Sequence, residues 1–223
     1  MDCDFRFFRA QLFFYMEISV SFSRFAQKVN KDFLRIAHRG ACIFAPENTI
    51  ESFQLAVDIG VDMIETDVRM TQDEVLVLAH DSGFLHHSEI EERFPGRKSY
   101  LLRDFLFSDI RQLTDVGIRY VQEVRQGKSA ARDCFHSITL QERQTFLNSS
   151  KLSQIQRHIY LIPSLEEAMD WFKQTPNILF NLELKTYPQS HPKIVPAFIN
   201  ALKKYPQERL LISSFDHYAL FEI

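Results

Sequence analysis

From residue 35 onward, short apolar runs alternate with stretches whose apolar residues recur at helical spacing, a pattern that predicts an α/β fold with parallel strands. Strands are expected at 34–38, 61–69, 75–80, 177–184 and 209–214. Between the first two, residues 46–60 read as a helix. Asn48 and Glu51 have the spacing of a capping box, Ile50, Phe53 and Val57 form one apolar face, and Gly60 supplies a stop. Ser164-Leu-Glu-Glu167 signals a second helix start, leading through Met169, Trp171 and Phe172. A third helix is expected over 193–205, with Pro196 tolerable in its first turn. The segment from 82 to about 160 breaks the alternation and reads as an insertion, helical around Phe105 to Asp115 and mobile near Arg125 to Ala131. Residues 1–32 form an added, Phe-rich segment; Glu17 to Phe22 alternates like a strand, while the wider Phe spacing also allows an amphipathic helix. The expected organisation is this added segment at 1–32 and one domain over 33–223.

Alternation across strands turns each one into a statement about which side chains share a face. In Asp62 to Arg69, Glu65 and Asp67 share one face, and Ile64, Thr66 and Val68 take the other. In Asn177 to Lys185, Ile178, Phe180, Leu182 and Leu184 are uniformly apolar, so Asn181, Glu183 and Lys185 look the opposite way. A parallel sheet covered by helices has no solvent face, which would bury three carboxylates together. Like charges at short range raise one another's pKa, and a bound cation removes that penalty. Hard oxygen donors without a neighbouring cysteine point to Mg²⁺ or Ca²⁺. Ordinary salt bridges at surface-facing strand ends remain the alternative. Of the eight histidines, His38 and His80 lie at or near strand ends, where α/β folds place reactive groups, and an imidazole can take or give a proton near neutral pH. Arg39 and Lys185 would supply positive charge for an anionic substrate.

Composition narrows the function classes. Lys plus Arg number 26 against 29 Asp plus Glu, and this balance lacks the basic surface that nonspecific nucleic-acid binding needs, so no nucleic-acid partner is expected. Cys3, Cys42 and Cys134 form no CxxC and fit a reducing, cytoplasmic setting. Arg6 and Arg9 ahead of the apolar stretch from Ala10 to Met16 keep a secretory leader open as the alternative. No apolar run approaches the roughly 18 residues of a membrane span.

Taken in order, His38-Arg-Gly40, Pro46-Glu-Asn-Thr49, Glu65-x-Asp67, His80-Asp81, Ile162-Pro-x-Leu-Glu-Glu167, Glu183-x-Lys185 and Ser213-Ser-Phe215 resemble the motifs of glycerophosphodiester phosphodiesterases. The resemblance covers roughly residues 35 to 218. It implies a (β/α) barrel with a small insertion after its third strand, and hydrolysis of a small-molecule glycerophosphodiester to glycerol 3-phosphate and an alcohol. By position it implies that His38 and His80 are the acid/base pair and that Glu65, Asp67 and Glu183 hold one divalent cation. It further implies that Arg39 and Lys185 contact the phosphate or its neighbours, and that Glu47, at the rim, orders the site. About five of the eight barrel strands are visible, so the barrel is expected to be C-terminally incomplete. Two further expectations follow from that count. Residues 12–22 should pack over the gap, and the chain should be marginally stable or self-associate through the open edge. The competing reading is a noncatalytic truncated barrel serving as a remnant or interaction module.

Overall fold

Local signals set the helices, and tertiary packing sets where they start. In the computed structural model, which describes residues 33–42, 44–84, 90–113, 160–188 and 190–223, the first helix is α1 at Ile50–Ile59. Its N-cap is Thr49, whose hydroxyl accepts from the Ser52 N–H, and not Asn48 as the spacing predicts. Asn48 has been drawn away to the site described below. Gly60 ends the helix in the left-handed conformation at φ 89°, its N–H satisfying the Ala56 and Val57 carbonyls. Helix α4 at Leu165–Lys173 carries the predicted capping box, with Ser164 and Glu167 bonded reciprocally at 3.1 and 2.7 Å. Helix α5 at Ile194–Leu202 holds Pro196 at its third position, where no intrahelical N–H is lost.

The strands are β1 at Ile36–His38, β2 at Met63–Met70, β3 at Leu76–Leu78, β4 at Leu179–Leu184 and β5 at Leu210–Ser213. They form one sheet in the order β1-β2-β4-β5, all parallel, with β3 pairing β2 from off this path. Contrary to the expectation of parallel strands throughout, β3 runs antiparallel to β2. Val68 pairs with Leu184 of β4 and also with Leu78 of β3, so β3 occupies the edge of β2 that β1 holds lower down. Four strands are therefore staves of the barrel wall, and β3 folds back beside the end of β2. The sheet is not closed among the described residues, and β5 is half-buried along its whole length.

Apolar residues of β2 and β4 face the helices. Ile64, Val68, Phe180, Leu182 and Leu184 pack with Phe53 and Ala56 of α1, Met169 and Phe172 of α4, and Phe198 and Leu202 of α5. Phe180 meets Phe53 edge-on at 5.6 Å and stacks on Phe172 at 5.1 Å; burying such a ring is worth about 2 to 3 kcal/mol. A second cluster, built on Leu55, Val77, Phe84, Phe105, Ile110, Leu113 and Ile162, anchors the insertion. Within it the described elements are short: α2 at Ile90–Arg93, a 3₁₀ turn at Leu102–Asp104 and α3 at Phe107–Ile110. Helix α6 at His217–Glu222 follows β5 and buries Ala219 while Phe221 stays exposed. The stretches 12–22 and 125–131, and Asp115, lie outside the described residues. By its contacts the chain divides into two compact units, Met1–Arg35 and Ile36–Ile223. No helix among the described residues is long and apolar enough to cross a membrane.

Candidate active site

Strand register brings the acidic residues together. Asp67 pairs with Glu183 and Glu65 with Asn181, and His38 pairs with Glu65 from the other side. With the apolar faces spent on the helices, Glu65, Asp67 and Glu183 share the opposite face, and one carboxylate oxygen of each lies within 4.8 Å of the others. Glu65 is 6% and Asp67 0% exposed. Glu65 Oε1 is buried without a hydrogen-bond partner. Burial and the neighbouring Asp67 raise the Glu65 pKa to about 7, against the Arg39 N–H that donates to its Oε2 at 3.1 Å.

Cations and one amide hold this cluster in place. Arg39, at φ 60°, points its guanidinium at two carboxylates: Nη1 donates to both Glu47 oxygens at 3.2 and 3.0 Å, and Nε lies 3.2 Å from Asp67 Oδ2. Burial opposes its charge, but Glu47 and Asp67 outweigh that and raise its pKa. The Lys185 ammonium bridges Asp67 Oδ1, at 3.0 Å, and Glu183. Gly40, at φ 82°, lets the chain pass beneath Ser52, whose Oγ lies 2.3 Å from where a Cβ would stand. Asn48 donates from Nδ2 to Asp67 Oδ2 at 3.1 Å, and its Oδ1 accepts from the Thr66 hydroxyl at 2.6 Å and the Asp67 N–H at 3.2 Å.

Asn48 also sits at φ 57°, in the left-handed region that alanine resists. Asn48→Ala is expected to lower stability by about 3 kcal/mol, through unsatisfied buried groups and backbone strain. Asn48→Gly loses the same hydrogen bonds without the strain and should melt above the Ala variant. Melting curves at wild-type level for both would remove Asn48 from the site's framework.

The two histidines reach the site by different routes. His38 ends β1, with Nε2 3.7 Å from Glu65 Oε2 and much of its ring in solvent. Partial burial, then Arg39, lowers its pKa below the usual value. His80 lies two residues beyond the antiparallel β3, so it descends toward the carboxylates from the opposite direction to a barrel strand. Its Nδ1 is 2.9 Å from Asp81 Oδ1. A carboxylate only accepts, so this contact puts the proton on Nδ1 and leaves Nε2 as the working nitrogen. His80, Glu183, Lys185, Pro188 and Phe215 are among the residues lining a cavity of about 280 Å³.

All eight predicted site residues thus fall in one neighbourhood around β2. The sequence predicts no site role for Asn48, Asp81 or Arg69. Arg69 was within reach of the same argument, because it continues the alternation of Glu65 and Asp67 by two more residues.

Comparison with known proteins identifies the family. The model of the glycerophosphoryl diester phosphodiesterase family matches residues 38–223. A glycerophosphodiester phosphodiesterase of Caldanaerobacter subterraneus subsp. tengcongensis is 30% identical over 191 residues, 85% of this chain and 61% of that protein. One from Bacillus altitudinis is 27% identical over 185 residues, covering 82% of this chain and 58% of the relative. The structure of an Oleispira antarctica phosphodiesterase in complex with the product sn-glycerol-3-phosphate superposes with a TM-score of 0.58 at 26% identity, over 84% of this chain and 59% of that one. This chain therefore spans about three fifths of the length of these relatives. With the family match running from His38 through every residue of the carboxylate cluster, the chain belongs to the glycerophosphoryl diester phosphodiesterase family.

Proposed function

We propose that the chain hydrolyses glycerophosphodiesters to glycerol 3-phosphate and an alcohol, using His38 and His80 as acid and base beside one divalent cation. The observation that carries this reading is the convergence of Glu65, Asp67 and Glu183, with an unpartnered buried oxygen on Glu65. Beside them, Arg39 pairs with Glu47 and Asp67, and Lys185 with Asp67 and Glu183. Hard oxygen donors without cysteine suit Mg²⁺ or Ca²⁺. When bound, the cation supplies Lewis-acid charge to the nonbridging oxygens of the phosphodiester.

The remaining work falls to the chain's own residues. Arg39 and Lys185, already fixed by carboxylates at the site, offer donors to the added negative charge of the transition state. One histidine takes the proton of the attacking oxygen, from water or the neighbouring glycerol hydroxyl, and the other protonates the departing alkoxide. Asp81 holds His80 in a single tautomer for either task. Residues 33–223, with the insertion at about 82–160, form the catalytic unit on this reading. The half-exposed β5 favours the competing reading, a noncatalytic interaction module. Both meet the same assay, glycerol 3-phosphate release from glycerophosphocholine with and without Mg²⁺ or Ca²⁺. Cation-dependent release is expected; no release from this or other glycerophosphodiesters with either cation would leave the noncatalytic module standing.

A further inference from the structure

Arg69 is the one charged residue of β2 that this reaction leaves without a task. Its side chain is almost wholly buried, which pushes its pKa below the usual value, while Asp67, Asp81 and Glu183 oppose that fall. Nε donates to the His80 carbonyl at 2.7 Å, and Nη1 donates to the Pro188 carbonyl at 3.4 Å. These two carbonyls belong to the segment that carries His80 and to the turn after β4 that walls the cavity. The same turn is held from the insertion by Arg103, whose Nη1 donates to the Ser190 carbonyl at 3.3 Å. A planar guanidinium can address two acceptors in different segments at once, which a lysine ammonium on its flexible stem does poorly.

We propose that Arg69 is a positioning residue: it fixes the His80 backbone against the Pro188 wall, so that the imidazole meets a diester in the cavity at a set distance. The inference rests on the phosphodiesterase reading and adds to it the part that sets the reach of His80. Misplacing a reacting group by about 1 Å costs on the order of a hundredfold in rate, so the effect should fall on kcat more than on KM.

The test compares Arg69→Lys and Arg69→Met in the full chain, reading kcat, KM and the ¹⁵N imidazole resonances of His80, assigned by their loss in His80→Gln. Arg69→Lys keeps the buried charge, so it separates the bridge from simple loss of stability; a cooperative melt confirms that it is folded. The expected result is a kcat lower by about a hundredfold, a KM within about twofold of wild type, and shifted or broadened His80 resonances. Wild-type kcat with unmoved His80 resonances in Arg69→Lys overturns the proposal. A raised KM with unmoved resonances also overturns it, by placing Arg69 on the substrate. If the wild-type chain releases no glycerol 3-phosphate, the phosphodiesterase reading fails, and the His80 resonances still decide whether Arg69 positions that ring.

Discussion

His80→Ala is expected to lower turnover by at least about a hundredfold, the lower range of what a positioned proton donor or acceptor contributes. His80 lines the cavity with Nδ1 held by Asp81, so its loss removes an imidazole whose Nε2 is left free to exchange a proton. His38→Ala should be as damaging, for a different reason. Its ring is mostly in solvent and takes its place from the end of β1, where the neighbouring Arg39 N–H is tied to Glu65. If the two divide acid and base, their pH profiles differ. Removing the base abolishes the acidic limb of the kcat/KM profile, and removing the acid abolishes the basic limb. The lowered pKa of His38 means that, if it is the base, the acidic limb lies below the ordinary histidine range. His191→Ala is the control, because among the described residues that ring only accepts from the Lys193 N–H. A His191→Ala variant as slow as His80→Ala would show that the histidines had been divided wrongly.

Much of this site was legible because a strand has a period of two. The apolar series Ile178, Phe180, Leu182 and Leu184 forces Glu183 to the opposite face, and the same reasoning pairs Glu65 with Asp67. Gly60 and Ser164 were legible because caps are local chemistry. Asn48 was misread for a physical reason: it and Thr49 are both good N-cap residues, and the choice between them is made by Asp67, which lies 19 positions away in the chain and takes the Asn48 amide. The direction of β3 was open to a simpler argument. Five residues, Thr71 to Val75, separate β2 from β3, and a parallel crossover needs a dozen or more. Only a hairpin spans so short a gap, which here turns through Glu74 at φ 64°. That hairpin decides how His80 enters: it comes beside the carboxylates from an antiparallel strand, and not from the end of a parallel one as the strand-end rule assumes.

Glu65 provides the test with the widest consequences, because its charge state links folding to the cation. Without a cation its folded pKa is raised from 4.5 to about 7, so the folded chain binds a proton that the unfolded chain has released. The stability contributed by that proton is fully present below about pH 4.5 and is lost as the pH rises through about 7, a change on the order of 3 kcal/mol. Denaturation of the chelated chain should therefore show stability falling across this window. A divalent cation requires the ionised carboxylate, so binding at pH 6 should release a proton, detectable as buffer-dependent heat in calorimetry. It should also stabilise the fold in proportion to the logarithm of cation concentration above Kd. Glu65→Gln keeps the shape and removes the charge; it should flatten the pH dependence, weaken cation binding and abolish turnover together. Chelation of the wild-type chain should stop turnover reversibly, with activity returning on addition of Mg²⁺ or Ca²⁺. An unchanged pH slope in Glu65→Gln would show that another group titrates in this window, and cation binding that releases no proton and is not weakened in Glu65→Gln would show that Glu65 is not a ligand.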